Sequence, residues 1–415
     1  MKPRPRVLVL AQCLPYPPDS GVTSRTFHIL RELQLEFDVA LVPYFRVNHQ
    51  PDRAARDAAC AALRRVLTYV ADPAPIPGEH RRVRRVWDHL RSLATGRPYT
   101  EYQYDSGAFA ESLQAAIRAC PPDLVHLDSL DMYRWLPYLP SVPVACTHHD
   151  IDSDLLRLRA QHLRSPLLRG YMTLQAGRVA RLERELCPRL ALNVMMSDLD
   201  AGRLQRVAPG AVTVVVPNGT DTEFLHPNGG TAAPGRVVFV GPTYSHPNRD
   251  AVEFFLQETW PGIRAVDPAT CLQLVGRSAP TDQARYDAAP GVQVLGQVPD
   301  IRPALTQARC VVVPIRIGGG TRIKILDAWA LGKAVVSTSI GCEGLDAVDG
   351  ENILIRDTPA AFARAVLDVL HDARLRARLE RNARCTALEK YSWSLVGRTI
   401  RSAYVELLGR ARGRP

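Results

Sequence analysis

The sequence predicts an α/β protein made of two doubly wound parallel sheets, each with its own helices. Three observations lead there. The apolar runs are short and unalternated, as strands covered on both faces must be. Each run is followed by a loop and then by an amphipathic segment at helical spacing, the alternation that builds parallel sheets. There are more such runs than one sheet of ordinary size holds. A Pro/Gly/Asn-rich stretch, "VVVPNGTDTEFLHPNGGTAAPGR", divides them near the middle of the chain.

The elements follow in order. "RVLVLAQ" is read as the first buried strand, since its apolar run is shorter than the roughly 7–15 residues of a signal-peptide core. A Pro- and Gly-rich loop leads into a helix in which Phe27, Leu30 and Leu33 share a face. "FDVALVPY", "DLVHLDS", "VPVACTHHD", "LALNVMMS" and "VTVVVPNG" are the next strands. After the dividing stretch come "RVVFVGPT", a helix over 249–257, "TCLQLVG", "VQVLGQV" and "CVVVPIR". A short helix and "AVVSTS" complete the second sheet. The expected domains are 1–214 and 215–390.

Composition bounds the remaining classes. The 415 residues are 46% hydrophobic and 23% charged. No stretch approaches the ~20 consecutive apolar residues of a membrane span. Nine scattered cysteines without a CxxC pair argue against a disulfide frame or zinc site and for a reducing compartment, so the expected place is the cytoplasm. A net charge of +10 suits anionic partners. The sharpest basic cluster is "RRVRRVWDHLRSLATGR" at 81–97, where Arg81, Arg82, Arg84, Arg85 and Arg91 surround Val83, Val86, Trp87, Leu90 and Leu93. Two readings stand for this basic amphipathic helix: a packed helix with a solvated charged face, or a helix lying on an anionic membrane at its inner face. No nucleic-acid motif is present, and no nucleic-acid partner is expected.

In open α/β sheets, ligands gather at the carboxyl ends of strands. That rule selects the 15–21 loop, His126, the "THHD" end, Asn218 and Gly219, the 241–248 loop, Gly276, Gly296 and the glycines at 318–320. The segment "IRIGGGTRIKILDAWALGKAVV" is the most informative of these. Gly318, Gly319 and Gly320 allow close backbone approach to a ligand. They precede a helix start, where phosphate is favoured. Thr321, Lys324 and Asp327 recur every third residue and form one polar stripe on an otherwise apolar helix. Lys324 can neutralise a phosphate, Arg322 adds a forked donor, and Asp327 can accept from ribose hydroxyls. The alternative is an internal Lys324–Asp327 ion pair with glycines serving a tight turn.

"GGGTRIKILDAWALGKAVVST" resembles the donor segment of GT-B glycosyltransferases, in particular the retaining glycosyltransferase 4 family and, within it, members carrying "GGGTR". "PDSGVTSRTFHILREL", "THHDIDSDLL", "VPNGTDTEF", "VVFVGPTYSHPNRDAVEFF", "LDAVDGENILIRD" and "YSWSLVGRTI" resemble further family segments in the family's order. The resemblance implies two Rossmann-like domains facing across a cleft, with a last helix (391–415) returning to the N-domain. It places Gly21 near the donor phosphates and His149 near the transferred sugar and acceptor. Arg322 and Lys324 would hold the diphosphate and stabilise the leaving group. Asp327 would lie on the ribose, and Gly241, Asn248 and the 318–321 loop would line the donor. Three departures stand out, the first being Asp327 where the family carries its second glutamate. Gly319 occupies the place of the family's first acidic residue, and "GPTYSHPN" lacks the basic pair common after the second domain's first strand.

The resemblance implies transfer of a sugar from a UDP- or GDP-sugar to a hydroxyl, as a retaining, metal-independent reaction with no cofactor beyond the co-substrate. The acceptor would be a lipid-linked sugar, a polysaccharide precursor or a small molecule. Two other readings remain: a nucleotide-sugar epimerase on the same frame, and a non-catalytic binding or scaffold subunit. A G-x-G-x-x-G after the first strand is missing, against an NAD enzyme, as are a G-x-S-x-G elbow and an HExxH.

Overall fold

Among the described residues, every strand pairing in both sheets is parallel. The computed structural model describes residues 3–79, 81–161, 163–318, 322–411 and 413. The chain divides into two units, Met1–Pro217 with Val396–Pro415, and Asn218–Leu395.

The first unit carries β1 (Arg6–Ala11), β2 (Asp38–Phe45), β3 (Tyr69–Val70), β4 (Ala74–Pro75), β5 (Leu124–Leu127), β6 (Val144–His148), β7 (Leu192–Met195) and β8 (Thr213–Val215). Their order is β3-β2-β1-β5-β6-β7-β8, with β4 on β2. The order reverses at β1, so β1 and β5 leave a crevice at their carboxyl ends. Every residue of β1 after Arg6 is buried, which explains its unalternated sequence. The helix Trp393–Ala411 joins this unit from Val396 onward. There Arg401 donates to Glu36 Oε1 at 2.9 Å and to Glu32, which fixes the helix against Gly21–Leu33.

The second unit carries β9 (Arg236–Val240), β10 (Cys271–Val275), β11 (Val292–Gly296), β12 (Cys310–Val313), β13 (Val335–Ser337) and β14 (Leu354–Ile355). Their order, β11-β10-β9-β12-β13-β14, reverses at β9. The helix Ile323–Ala330 is buried through Ile325, Leu326, Ala328, Trp329 and Ala330. Each large side chain among them contributes roughly 1.5–3 kcal/mol by leaving water, which holds its two polar residues in place. The helix expected over 249–257 is part of a longer element. It runs His246–Phe254, passes through a π turn at Phe255–Thr259, and continues Trp260–Val266. Pro261 supplies no N–H to the preceding turn, which accounts for the ladder loosening there.

The basic segment forms the helix Arg82–Thr95, but its orientation departs from a packed amphipathic helix. Asp88 and Ser92 are its buried residues, while Val83 is 85% exposed and Trp87 58% exposed. Asp88 accepts from Arg84, and the Ser92 hydroxyl donates to the Arg97 carbonyl and accepts from Gln175. These bonded polar groups hold the inner face, so the apolar stripe is left outside.

Candidate functional site

Each unit has a polar cluster at its own sheet reversal, and each is described within its own unit. In the second unit, β9 ends at Val240 and is followed by Gly241, and β12 leads towards Gly318. Gly241 has φ +151°, and a Cβ there would lie 2.7 Å from Lys324 Nζ and 2.9 Å from Asn248 Nδ2. Only a bare backbone fits beside that amine. Gly318 has φ +115°, again the left-handed region. Gly319, Gly320 and Thr321 lie outside the described residues, so the middle of the expected phosphate loop is not described. Arg322 occupies the residue just before the helix, in extended backbone.

Lys324 and Asp327 do not form the internal ion pair that the sequence left open. Lys324 Nζ instead donates to Asn248 Oδ1 at 2.7 Å and lies 4.4 Å from the centre of the Phe239 ring. Asn248 is itself oriented, because its Nδ2 donates to the Pro242 carbonyl at 2.9 Å. Asp327 Oδ1 accepts from the Thr220 hydroxyl at 2.8 Å. Both charges therefore have neutral partners. Burial, with Arg322 adding repulsion, lowers the Lys324 ammonium to about 7. Burial raises the Asp327 carboxyl to about 7; the Thr220 bond opposes this and Asp221 adds to it. A charged group held by neutral partners in a half-dry place is poised to take up an opposite charge.

Thr220 is a residue the sequence does not single out, although it lies in the Pro/Gly/Asn-rich stretch that divides the two sheets. It is placed by backbone bonds to the end of the same unit: Thr220 N–H donates to the Tyr391 carbonyl at 2.8 Å, and Trp393 N–H to the Thr220 carbonyl at 3.3 Å. The neighbouring Gly219 lies against the Trp393 ring. Asn218 is buried in the same turn. His246 is exposed at the first turn of its helix.

In the first unit, Gly21 begins the helix Gly21–Leu33. Ser20 caps it reciprocally with Thr23, which fixes the end of the 15–21 loop. β6 ends at His148, whose Nε2 pairs with Asn193 Oδ1 at 2.9 Å in the core. His149 is thus the first residue past the strand. Its Nε2 lies 3.9 Å from Asp128 Oδ1 and has no hydrogen-bond partner among the described residues. Burial, then the positive charge of Arg25, lowers the His149 imidazole to about 3, so it is neutral at physiological pH.

His126 departs from the sequence reading, which placed it at the ligand-facing strand ends. It lies within β5, 1% exposed, and bonds Tyr404 through Nδ1 and Thr147 through Nε2 at 3.3 Å. β5 runs to Leu127, one residue past His126, so the histidine belongs to the body of the strand and the core and not to its end. The residue that does emerge after β5 is Asp128, which the sequence reading passed over. Its carboxylate accepts from Thr26 Oγ1 at 3.0 Å, and burial raises it to about 7. Arg25 is also buried, and its guanidinium donates to the Val216 and Pro217 carbonyls at 2.8 Å each. Among the described residues no group of three or more His, Cys, Asp or Glu side chains gathers as a metal site.

Comparison with known proteins places this arrangement. The model of the family described as "Glycosyltransferase Family 4" matches residues 20–224, and that of "Glycosyl transferases group 1" matches residues 234–372. The chain belongs to the family 4, group 1 glycosyltransferases and has the GT-B fold. Among solved structures, sucrose-phosphate synthase from Thermosynechococcus elongatus is similar at a TM-score of 0.71 and 17% identity, over 98% of this chain and all of that one. Anabaena Alr3699/HepE, solved in complex with UDP, is similar at a TM-score of 0.66 and 14% identity, over 97% of this chain and all of that one. A curated relative, an "Uncharacterized 44.6 kDa protein in cps region" of Klebsiella pneumoniae, is 25% identical over 140 residues, 32% of this chain. The match spans 36% of that relative's length.

Proposed function

We propose that this chain transfers a sugar from a UDP- or GDP-sugar to a hydroxyl group, with retention and without a bound metal. The observation that carries the proposal is Lys324. It is a half-buried amine without an ion pair among the described residues, held by Asn248 beside the bare backbone of Gly241. In this reading Lys324 and Arg322 hold the diphosphate. Their charge is worth most as the leaving group becomes more negative, in a place where water no longer screens it. Asp327, held by Thr220, accepts from the ribose diol. His149, neutral and with an unused ring nitrogen, bonds the transferred sugar.

The family membership supports sugar transfer as the reaction class, and the UDP complex of the Anabaena neighbour supports a nucleotide-sugar donor. The acceptor belongs to the lipid-linked, polysaccharide or small-molecule hydroxyls. The test is release of nucleoside diphosphate from a panel of UDP- and GDP-sugars, with the sugar product identified by mass. Release from one donor, raised by added hydroxyl acceptors, is expected. Conversion of the donor into its epimer would make the chain an epimerase. Tight nucleotide binding without turnover under any acceptor would make it a binding subunit.

A further inference from the structure

We propose that the outward face of the helix Arg82–Thr95, together with the start of the helix Pro166–Leu186, docks this protein on an anionic lipid bilayer. The inference rests on the orientation of the first helix and not on the glycosyltransferase reading. Advancing 100° per residue, Val83, Val86, Trp87, Leu90 and Leu93 cover one continuous side. All five are exposed, between 45% and 85%. The buried residues of the same helix are Asp88 and Ser92. A soluble helix turns its apolar side inward. This one is anchored by its polar side and leaves a stripe with a tryptophan at its centre uncovered.

The neighbouring helix extends the surface. Tyr171 bonds His89, with the hydroxyl 2.5 Å from Nδ1, and Arg178 donates to the Ser92 carbonyl at 2.7 Å, so this row of the second helix packs on the first. Leu167 and Leu174 lie on the same row, at i, i+4 and i+7 spacing with Tyr171. They are 86% and 43% exposed. The apolar surface is therefore shared by two bonded helices, not confined to one.

Charge selects the occupant. On the helical wheel Arg82 borders one side of the stripe, and Arg84 and Arg91, which pair with Asp88 and Asp105, border the other. Arg81 and Arg85 are exposed at the helix start, and Arg164 stands before the second helix. Arg81, Arg82, Arg85 and Arg164 make no ion pair among the described residues. Apolar residues bordered by arginines, whose stems can lie along the apolar layer while the heads reach phosphates, match the boundary of an anionic bilayer. A second copy of this chain would bring like charges together, which disfavours self-association through the same face.

The test is vesicle co-flotation of the full chain with phosphatidylcholine alone and with phosphatidylcholine–phosphatidylglycerol mixtures, read together with tryptophan fluorescence. Trp135, Trp260, Trp329 and Trp393 are buried and Trp87 is exposed, so a lipid-induced blue shift reports Trp87. Flotation and a blue shift on the anionic vesicles alone are expected. Arg82→Glu, at the edge of the stripe, should weaken binding by about fivefold or more. Trp87→Glu should abolish both signals, while Leu199→Glu, at another exposed leucine, should leave them unchanged. Thermal melts of each variant separate docking from misfolding. Absence of flotation from anionic vesicles by the folded wild type would overturn the proposal. So would a concentration-dependent dimer that Trp87→Glu dissolves, which would assign the face to a second copy.

Discussion

Replacing Lys324 with methionine separates a binding role from a structural one. Burial pulls the Lys324 ammonium from 10.5 to about 7. At ~1.4 kcal/mol per pH unit, keeping the charge there near neutrality costs on the order of 4 kcal/mol, and solvent at the half-buried side chain reduces this to about 2–3 kcal/mol. Methionine keeps an aliphatic stem near Phe239 and removes that cost. It also strips Asn248 Oδ1 of its 2.7 Å donor, a loss of about 1–3 kcal/mol. The two terms nearly cancel, so stability should stay level or rise slightly. The midpoint of unfolding should move by no more than about 4 °C. Nucleotide affinity behaves differently. A lost charge-assisted bond is worth ~1.5–3 kcal/mol, or about 10- to 150-fold in Kd. Calorimetric titration with the nucleoside diphosphate that binds the wild type, beside a scanning melt of the same sample, reads both. A folded Lys324→Met protein with wild-type affinity would refute the reasoning. A fall of more than about 10 °C would show that the lysine serves the fold.

Donor binding should follow a bell-shaped pH dependence centred near 7. Binding needs the Lys324 ammonium, lost as pH rises through about 7, and the Asp327 carboxylate, lost as pH falls through about 7. Asp327→Asn should flatten the acid limb and leave the alkaline one, as calorimetry across pH would show; an unchanged acid limb would remove Asp327 from the site. Gly241→Ala places a Cβ 2.7 Å from Lys324 Nζ at φ +151°. It should lower stability by about 1–3 kcal/mol and weaken nucleotide binding at least tenfold, and an alanine variant with wild-type affinity would show that the amine can move without loss. His149→Ala should lower kcat while leaving nucleotide Kd within about twofold; full turnover would exclude a role at the transferred sugar.

The sheets were legible because buried parallel strands must be apolar on both faces, and "RVLVLA" or "CVVV" states that locally. The two-residue strands β3, β4 and β14 were not, since so short a pairing leaves no periodicity to read. The polar stripe on Ile323–Ala330 was legible for the same local reason: Lys324 and Asp327 interrupt an apolar helix. Their partners were not. Thr220 lies 107 residues from Asp327 and Asn248 lies 76 from Lys324, and nothing local joins them. The meeting of Thr26 with Asp128, 102 residues apart, was hidden in the same way. The basic helix shows a third limit. Periodicity located its apolar stripe correctly, but which side of a helix faces inward depends on Gln175 and Arg178, which lie on another helix.

The central claim is that the second unit holds a nucleoside diphosphate at Lys324, and thermal unfolding with UDP, GDP, ADP, dTDP and NAD tests it most directly. A ligand at ~100 times its Kd adds about 2.7 kcal/mol to the native state. The account predicts a rise with one nucleoside diphosphate, reduced in Lys324→Met. No rise with any of the five, or an equal rise in wild type and Lys324→Met, would contradict it.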